Sequence, residues 1–351
     1  MTKAMTWNDK DEIVSLLKKG EVIAFPTETV YGLGVISTDE QAFQRLVGVK
    51  KRPPEKPFTL MCANLTQVMQ YAEMDVHVLA LMHAFMPGEI TLLLRPRKNI
   101  PHWVTLDSPF IGVRVPALVE AREMIEACGA PLLVPSANLS GDAPALNGKQ
   151  AMDIFHDQIA AVVEGECVGK TPSTIVAVDE SGVRLVREGP ISFLEIEKVY
   201  REASFSVAIG CDHGAYDLKE KIKEHLLSRG FSVLDEGTHS KASCDYPIYA
   251  AAVGRDVARK EAELGIVCCT SGEGISMAAN KIKGVRCGVG YDDVVVGKMR
   301  EHNDANVVAF GAAYMKEEDV LRRVDIFLAE TFSILEKHHR RVAQIVSLEK
   351  L

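Results

Sequence analysis

The sequence predicts an α/β protein of two consecutive domains, the first on a twisted mixed sheet and the second on a doubly wound, five-stranded parallel sheet. The chain has 351 residues. A single hydrophobic core rarely supports a chain of that length, so more than one domain is expected. Strand and helix patterns are mixed irregularly up to about residue 200 but alternate regularly from Phe205 onwards. We therefore expect domains at residues 1–203 and 204–351 with almost no linker.

In the first half, helical spacing of apolar residues predicts a helix over residues 8–19, which ends at Gly20. The strand Glu21–Phe25 then opens onto the loop Pro26–Gly32, where the apolar run gives way to Thr and Gly. Further strands are predicted at 58–62, 90–94, 111–115, 132–134, 174–178 and 183–186, and helices around 40–49, 65–86, 118–128, 147–159 and 193–200.

In the second half, short apolar runs alternate with amphipathic segments. Because strands joined by crossover helices run parallel, this alternation predicts a doubly wound, Rossmann-like sheet. The predicted strands are 207–210, 231–234, 265–269, 285–289 and 307–310, and the helices are 215–229, 248–262, 275–281 and 292–301, with two more to the end.

Composition narrows the class of protein. Hydrophobic residues make up 47% and charged residues 25%, which argues against disorder. The net charge of −8 argues against a general nucleic-acid surface. No apolar run is long enough for a membrane span and no signal-peptide pattern begins the chain, so we expect a cytoplasmic protein. The eight Cys contain no Cys-x-x-Cys pair, so neither a metal site nor a disulfide framework is predicted.

The first group of candidate functional residues surrounds a basic loop. Lys50–Pro57 holds four cations, and its prolines keep it from continuing as a helix. Neutral donors follow other predicted strands, the place where ligands usually bind in α/β folds: Thr27, Thr29, Ser136 and Asn138. On the residues alone, a phosphate site and a solvated charge cluster both remain open.

The motifs in this half resemble those of the YrdC-type threonylcarbamoyl-AMP synthases, over about residues 8–200. They are Lys19–Gly34, Lys50-x-Arg52…Lys56-Pro57, Pro87-Gly88-x-x-Thr91, Val113–Pro116, Pro135–Asn138 and Ser173–Val176. The resemblance implies a YrdC-like fold that converts L-threonine, bicarbonate and ATP, with Mg²⁺, into threonylcarbamoyl-AMP and pyrophosphate. That product would pass to a tRNA-modification transferase complex acting at position 37.

The resemblance also implies roles for individual residues. Lys50, Arg52 and Lys56 would hold phosphates, and Arg114 would hold an anion. Ser136 and Asn138 would bind nucleotide or carbamate oxygens, and Thr29 and Tyr31 would shape the threonine pocket. A YrdC-fold, RNA-binding paralogue without synthase activity is the alternative.

The second group of candidate residues follows the strand that ends at Cys269. The glycine-rich segment Thr270–Ser276 comes next and leads into a helix, which predicts backbone N–H groups arranged for an oxyanion. Cys269 adjoins these groups, whereas Cys268 faces the other side of the strand by alternation and is expected in the core. For a strand Cys alone, inert burial is the usual alternative.

Three further segments, Gly210–Gly214, Asp245–Pro247 and Glu301–Asn306, complete a resemblance to type B ribose-5-phosphate isomerases over about residues 205–345. The resemblance implies interconversion of ribose 5-phosphate and ribulose 5-phosphate without a cofactor, in a homodimer formed through this domain with its site at the subunit interface. A dimerisation module without activity, or an isomerase for another sugar phosphate, are the alternatives.

By this resemblance Cys269 moves the proton between C2 and C1, Ser271 with Gly272, Glu273 and Gly274 stabilises the enediolate, and His302 opens the furanose ring. The other implied ligand contacts are Asn303 on the intermediate, Asp212 and Tyr246 on sugar oxygens, and His213, Lys337 and Arg341 near the phosphate.

Three positions depart from the family pattern. Ala313 stands where the family has an arginine, Lys337 stands where arginine is usual, and Thr270 replaces a glycine. A lysine lacks the bidentate grip of arginine on a phosphate, so we expect weakened phosphate binding.

Overall fold

The computed structural model describes residues 1–51, 57–98 and 100–350. It divides into two compact units, one made of Met1–Glu73 with Ala84–Arg201 and the other of Met74–His83 with Glu202–Leu351. The fold class predicted from the sequence is confirmed, because the first unit contains a mixed sheet and the second a wholly parallel one. Among the described residues, no helix combines the length and apolar character needed to cross a bilayer.

The first unit is built on a ten-stranded sheet in the order β1-β8-β2-β3-β7-β4-β6-β5-β9-β10. Parallel and antiparallel pairs alternate irregularly along it, as where β2 pairs antiparallel with β3 and parallel with β8. The strands are β1 Lys3–Met5, β2 Ile23–Phe25, β3 Gly32–Ile36, β4 Leu60–Met61, β5 Ile90–Leu94, β6 Ile111–Arg114, β7 Leu132–Leu133, β8 Ala161–Val163, β9 Thr174–Asp179 and β10 Gly182–Arg187.

Strand β3 was not predicted, since glycines weaken a strand pattern. They are needed here because a Cβ on Gly34 would lie 2.6 Å from the Phe25 ring and one on Gly32 would lie 2.5 Å from the Val134 side chain. The packing of Phe25 against β3 therefore requires Gly34, and glycines in this segment are also the reason that its sequence does not resemble a strand.

The helices in this part of the chain are α1 Lys10–Lys18, α2 Glu40–Lys50, α3 Leu65–Tyr71, α4 Val76–Phe85, α5 His102–Thr105, α6 Val119–Cys128, α7 Gly148–Phe155 and α8 Phe193–Arg201. The prediction of one helix over 65–86 is wrong, because the chain is extended at Ala72, which bridges to Pro96. The Asp75 carboxylate then accepts a hydrogen bond from Val78 N–H at 2.8 Å and begins a new helix.

The second unit has five parallel strands in the order β12-β11-β13-β15-β14. The strands are β11 Ser206–Cys211, β12 Ser232–Asp235, β13 Leu264–Cys269, β14 Cys287–Val289 and β15 Val307–Gly311, and the helices are α9 Tyr216–Leu227, α10 Tyr246–Ala258, α11 Glu273–Ala279, α12 Asp293–Asn303, α13 Glu317–Ala329 and α14 Glu336–Ser347. From β11 the chain adds β12 on one side and then β13 on the other, so the carboxyl ends of β11 and β13 form the crevice in which such sheets bind ligands.

Candidate functional sites

The first unit contains a cavity of about 600 Å³ lined by the ends of several strands. Its charged lining residues among the described part of the chain are Lys50, Arg114 and Arg187, and no carboxylate side chain lines it there. The hydroxyl groups of Thr27 and Thr91 also line the cavity and can donate hydrogen bonds to a ligand. The electrostatics of the cavity therefore favour an anionic ligand.

Lys50, at the end of α2, lies on one side of this cavity and is 3% exposed. Its ammonium group donates hydrogen bonds to the carbonyl oxygens of Ser136 at 2.7 Å and Asn138 at 2.6 Å. The Ser136 hydroxyl in turn donates to Asn138 Oδ1 at 2.6 Å. Three residues predicted for the site from distant sequence positions are thus brought together, with Lys50 holding the loop that carries the other two.

Arg114, at the end of β6, lies on another side of the cavity. Its guanidinium donates to the Glu28 carboxylate at 2.6 Å, to the Thr29 hydroxyl at 2.8 Å and, through Nε, to the Gly88 carbonyl at 3.2 Å. Thr29 is fully buried and accepts its bond from Arg114, while it also contacts the Thr27 hydroxyl at 3.0 Å. Arg114 and Thr29, both predicted for the site, are therefore joined in one hydrogen-bonded network. The sequence analysis did not predict Glu28, which also belongs to this network.

Tyr31 lines the same cavity, but its hydroxyl lies 2.9 Å from both the Val163 and the Gly165 carbonyl oxygens. Burial raises the pKa of this phenol well above its usual range, so the hydroxyl stays protonated. The predicted Arg52 and Lys56 lie outside the described residues.

The prediction did not single out Arg187, Ser173 or Thr91 as ligand contacts. Arg187 Nη2 donates to the Ser173 carbonyl at 2.7 Å, and the Thr91 and Ser173 hydroxyls are 2.8 Å apart. Arg187 ends the strand β10, whose exposed pattern carries no sequence signal of a site. Only the pairing of β10 with β9, and of β9 with β5, brings these three residues to the cavity.

In the second unit, the residues around Cys269 gather at the carboxyl ends of β11 and β13. Cys269 is 5% exposed, and its sulfur accepts a hydrogen bond from Gly272 N–H at 3.1 Å. An N–H donor aimed at a sulfur stabilises negative charge on it. Gly272 adopts φ of +84°, and a Cβ there would lie 3.0 Å from the Phe310 backbone, so only glycine suits this turn.

Asp212, Tyr246 and Gly274 lie beside this loop. Asp212 follows β11 and accepts a bond from Gly214 N–H at 3.0 Å. A Cβ on Gly274 would lie 2.8 Å from the Tyr246 ring, which shows that the ring covers the loop. The Ser271 hydroxyl accepts from Glu273 N–H at 3.3 Å.

Thr270, which departs from the family pattern, packs against Gly214, where a Cβ would lie 2.5 Å from its hydroxyl. The Ala313 N–H donates to the Thr270 carbonyl at 3.0 Å, and Ala313 itself is exposed. A longer side chain at position 313 would therefore extend into solvent next to the glycine-rich loop that follows β13. His213 is exposed, and its Nδ1 lies 3.2 Å from both the Cys244 carbonyl oxygen and Cys244 N.

Cys268 is completely buried, and burial raises the pKa of its thiol well above the usual range. It pairs with Cys211 in the register of β11 and β13. Side-chain alternation in β13 thus places adjacent cysteines in different surroundings.

His302 and Asn303 end α12 near the amino ends of the parallel strands, whereas Cys269 lies at their carboxyl ends. Asn306, just beyond them, accepts a bond from Gly265 N–H at 2.9 Å. Cys269 lies four residues beyond Gly265 on β13, or about 13 Å further along the strand. The structure therefore does not bring His302 and Cys269 together within one chain.

Lys337 and Arg341 belong to the His302 group rather than to the Cys269 group. They lie exposed on α14, where the ring of His338 stacks on His302 with centroids 4.2 Å apart. The predicted site residues of the second unit thus form two clusters, one at each end of the parallel strands.

The two candidate sites are a cavity lined by cationic side chains in the first α/β unit and a buried cysteine beside a glycine-rich turn in the doubly wound unit. The Sua5/YciO/YrdC family model, described as "Telomere recombination", matches residues 15–189, and the LacAB/RpiB model, described as "Ribose/Galactose Isomerase", matches residues 207–345. The chain belongs to both families and is a fusion of a threonylcarbamoyl-AMP synthase-like domain and a ribose-5-phosphate isomerase B-like domain.

Individual relatives support each half. Ribose-5-phosphate isomerase B of Escherichia coli is 40% identical over 144 residues, which cover 41% of this chain and 96% of the relative. Threonylcarbamoyl-AMP synthase of Vibrio campbellii is 31% identical over 182 residues, which cover 51% of this chain and 98% of the relative. These relatives are named as enzymes, so both halves belong to enzyme families.

Two further comparisons concern the first half. The crystal structure of E. coli YciO has a TM-score of 0.52 and 27% identity, and the match covers 56% of this chain and 100% of that one. The chain spans only 57% of the length of the Pyrococcus abyssi threonylcarbamoyl-AMP synthase, with 33% identity over 198 residues and 55% of this chain matched.

Proposed function

We propose that the first unit converts L-threonine, bicarbonate and ATP into threonylcarbamoyl-AMP and pyrophosphate. The observation that carries this proposal is the cavity lined by Lys50, Arg114 and Arg187 without a described carboxylate. The threonine carbamate, the triphosphate and the released pyrophosphate are all anions, so one cationic cavity of this size suits each stage.

The reaction requires the carbamate oxygen to attack the α-phosphorus in line while the pyrophosphate oxygen leaves. Positioning and charge neutralisation supply most of the rate acceleration in such transfers. Lys50 and Arg114 are held rigidly by hydrogen bonds to Asn138 and Glu28, so their charges need little reorganisation. Arg52 and Lys56 are proposed to add phosphate contacts. Mg²⁺ would enter with the ATP phosphates, because the described cavity lining offers no carboxylate ligand.

The test is pyrophosphate release from ATP by the intact chain. Release should require threonine and bicarbonate together, and the product should serve a threonylcarbamoyl transferase complex with tRNA. Release without threonine, or no release under any combination, would instead favour a YrdC-fold paralogue without synthase activity.

We propose that the second unit interconverts an aldose phosphate and its ketose, with ribose 5-phosphate and ribulose 5-phosphate as the pair and with no cofactor. The observation that carries this proposal is Cys269 with the Gly272 N–H donor at its sulfur. The thiolate would remove the proton from C2 of the open-chain aldose and return it to C1. Ser271 and the loop N–H groups would stabilise the enediolate oxygens between the two transfers.

The separation of His302 from Cys269 supports a homodimer whose sites combine both clusters. One copy would supply Asp212, Tyr246 and Cys269, and its partner would supply His302, Asn303, Lys337 and Arg341. Exposed apolar side chains near both clusters are consistent with this arrangement, since Ile248 on α10, Met277 on α11 and Ile334 just before α14 are 66%, 64% and 81% exposed. A C2 dimer would form two such sites.

The isomerase test is the formation of ribulose 5-phosphate from ribose 5-phosphate by the intact chain, alongside other aldose phosphates. Turnover of a different aldose phosphate alone would reassign the substrate. Failure with all of them would favour the dimerisation module. A cytoplasmic location would suit both sets of substrates.

A further inference from the structure

His338 lies in an arrangement that neither the sequence motifs nor the family names assign to any role. Its ring stacks on that of His302 with centroids 4.2 Å apart and planes inclined by 10°. His302 ends α12 and His338 lies on the first turn of α14. The stack therefore fixes the orientation of one ring through the packing of two helices.

Burial differs between the two rings. His338 is 3% exposed, whereas the His302 side chain is 37% exposed. One ring thus forms a buried platform, and the other remains accessible to a ligand.

Hydrogen bonding does not account for one nitrogen of the buried imidazole. Within the described part of the chain, His338 Nε2 is buried without a hydrogen-bond partner. A buried polar atom left unpaired costs free energy that an apolar side chain of similar shape avoids. Helix packing alone would therefore be served better by phenylalanine or leucine.

Neighbouring charges also affect the protonation of the buried His338 ring. Burial lowers the pKa of His338, and the neighbouring His302, Lys337 and Arg341 lower it further against the opposing effect of Glu301. The lowered pKa favours the neutral form of His338, so its ring presents a neutral aromatic face to His302.

We propose that His338 is a positioning residue, which holds the plane of the His302 imidazole for proton transfer during opening of the furanose ring. The proposal rests on the isomerase function proposed above. In ring opening the C1–O4 bond breaks, O4 gains a proton, the O1 hydroxyl loses one, and C1 becomes an aldehyde, so no oxidant or reductant is needed. A proton transfer of this kind depends on the direction of the ring nitrogen.

The test compares His338→Leu and His338→Phe in the full chain with two substrates. Ribose 5-phosphate is a furanose, whereas 4-deoxyribose 5-phosphate lacks the hydroxyl that closes the ring. His338→Leu should lower kcat/KM about tenfold for ribose 5-phosphate, a part of the full acid–base contribution, and less than twofold for the open-chain substrate. His338→Phe preserves a flat neutral ring and should keep activity on both.

His302→Ala serves as the reference, with a larger loss confined to ribose 5-phosphate. Equal losses on both substrates in the two His338 variants would reveal a merely structural role and overturn the proposal, as would full activity of His338→Leu on ribose 5-phosphate. Wild-type protein without isomerase activity would refute the proposed function itself, and the positioning role with it. Thermal melting of each variant separates loss of folding from loss of activity.

Discussion

The Arg114 guanidinium donates to the Glu28 carboxylate at 2.6 Å in a pair whose side chains are only 7% and 14% exposed. The same guanidinium also donates to the Thr29 hydroxyl. Glu28 Oε2 has no hydrogen-bond partner among the described residues. This carboxylate therefore serves mainly to balance a buried cation beside the cavity.

Glu28→Gln should lower the free energy of unfolding of the first unit by about 1–3 kcal/mol, because Arg114 would lose its counter-charge while remaining largely buried. Saturating ATP should recover more stability in this variant than in wild type, since the ligand would supply negative charge. Urea denaturation followed by tryptophan fluorescence reports this unit, as Trp7 and Trp103 both lie in it.

The matched control for this measurement is Glu12→Gln, which removes an exposed ion pair with Lys3. Such pairs contribute about 0–1 kcal/mol. Equal losses in the two variants would show that burial does not make the Glu28 pair special.

Cys269→Ala should abolish exchange of the C2 proton of ribose 5-phosphate with solvent, because the variant lacks the proposed base. Cys268→Ala should retain exchange and affect stability only, since Cys268 is fully buried with its thiol pKa raised by burial. Proton exchange followed by NMR in deuterated water measures both. Equal losses at matched folding would remove the reason for choosing Cys269.

Ala313→Arg should lower KM for ribose 5-phosphate by about ten- to a hundredfold with a smaller effect on kcat, as one charged contact to phosphate contributes about 1.5–3 kcal/mol. The phosphate is remote from the proton transfer, so its binding is largely uniform. Steady-state kinetics measure both constants. Ala313→Gln controls for added length without charge, and an unchanged or raised KM in Ala313→Arg would contradict a simple ribose-phosphate pocket.

Mixing Cys269→Ala chains with His302→Ala chains should restore isomerase activity that neither variant has alone. A mixed dimer retains one site with Cys269 from one chain and His302 from the other. Random exchange of subunits should recover about a quarter of wild-type activity, because half the dimers are mixed and each has one intact site. Absence of recovery, with exchange verified by differently tagged chains, would mean that the clusters do not combine across subunits.

Regular alternation made the second half predictable. All five strands of its sheet were predicted close to the ends observed, and period-two alternation alone predicted different surroundings for Cys268 and Cys269. Buried parallel strands leave long apolar runs, which local sequence records well. In the first half, the glycine-bearing β3 and the short β1 and β8 were missed, because their pairing depends on distant residues rather than on a local pattern.

The sequence by itself determined the two-unit α/β organisation, the two families, and the residue types present at each site. Only the tertiary structure decided which of those residues meet. It joined Lys50 to Asn138, added Glu28 and Arg187 to the first site, and separated His302 from Cys269. The order of motifs along the chain does not show which strands pair or at which end of the strands a helix ends. Both depend on the burial of side chains that lie far apart in the chain.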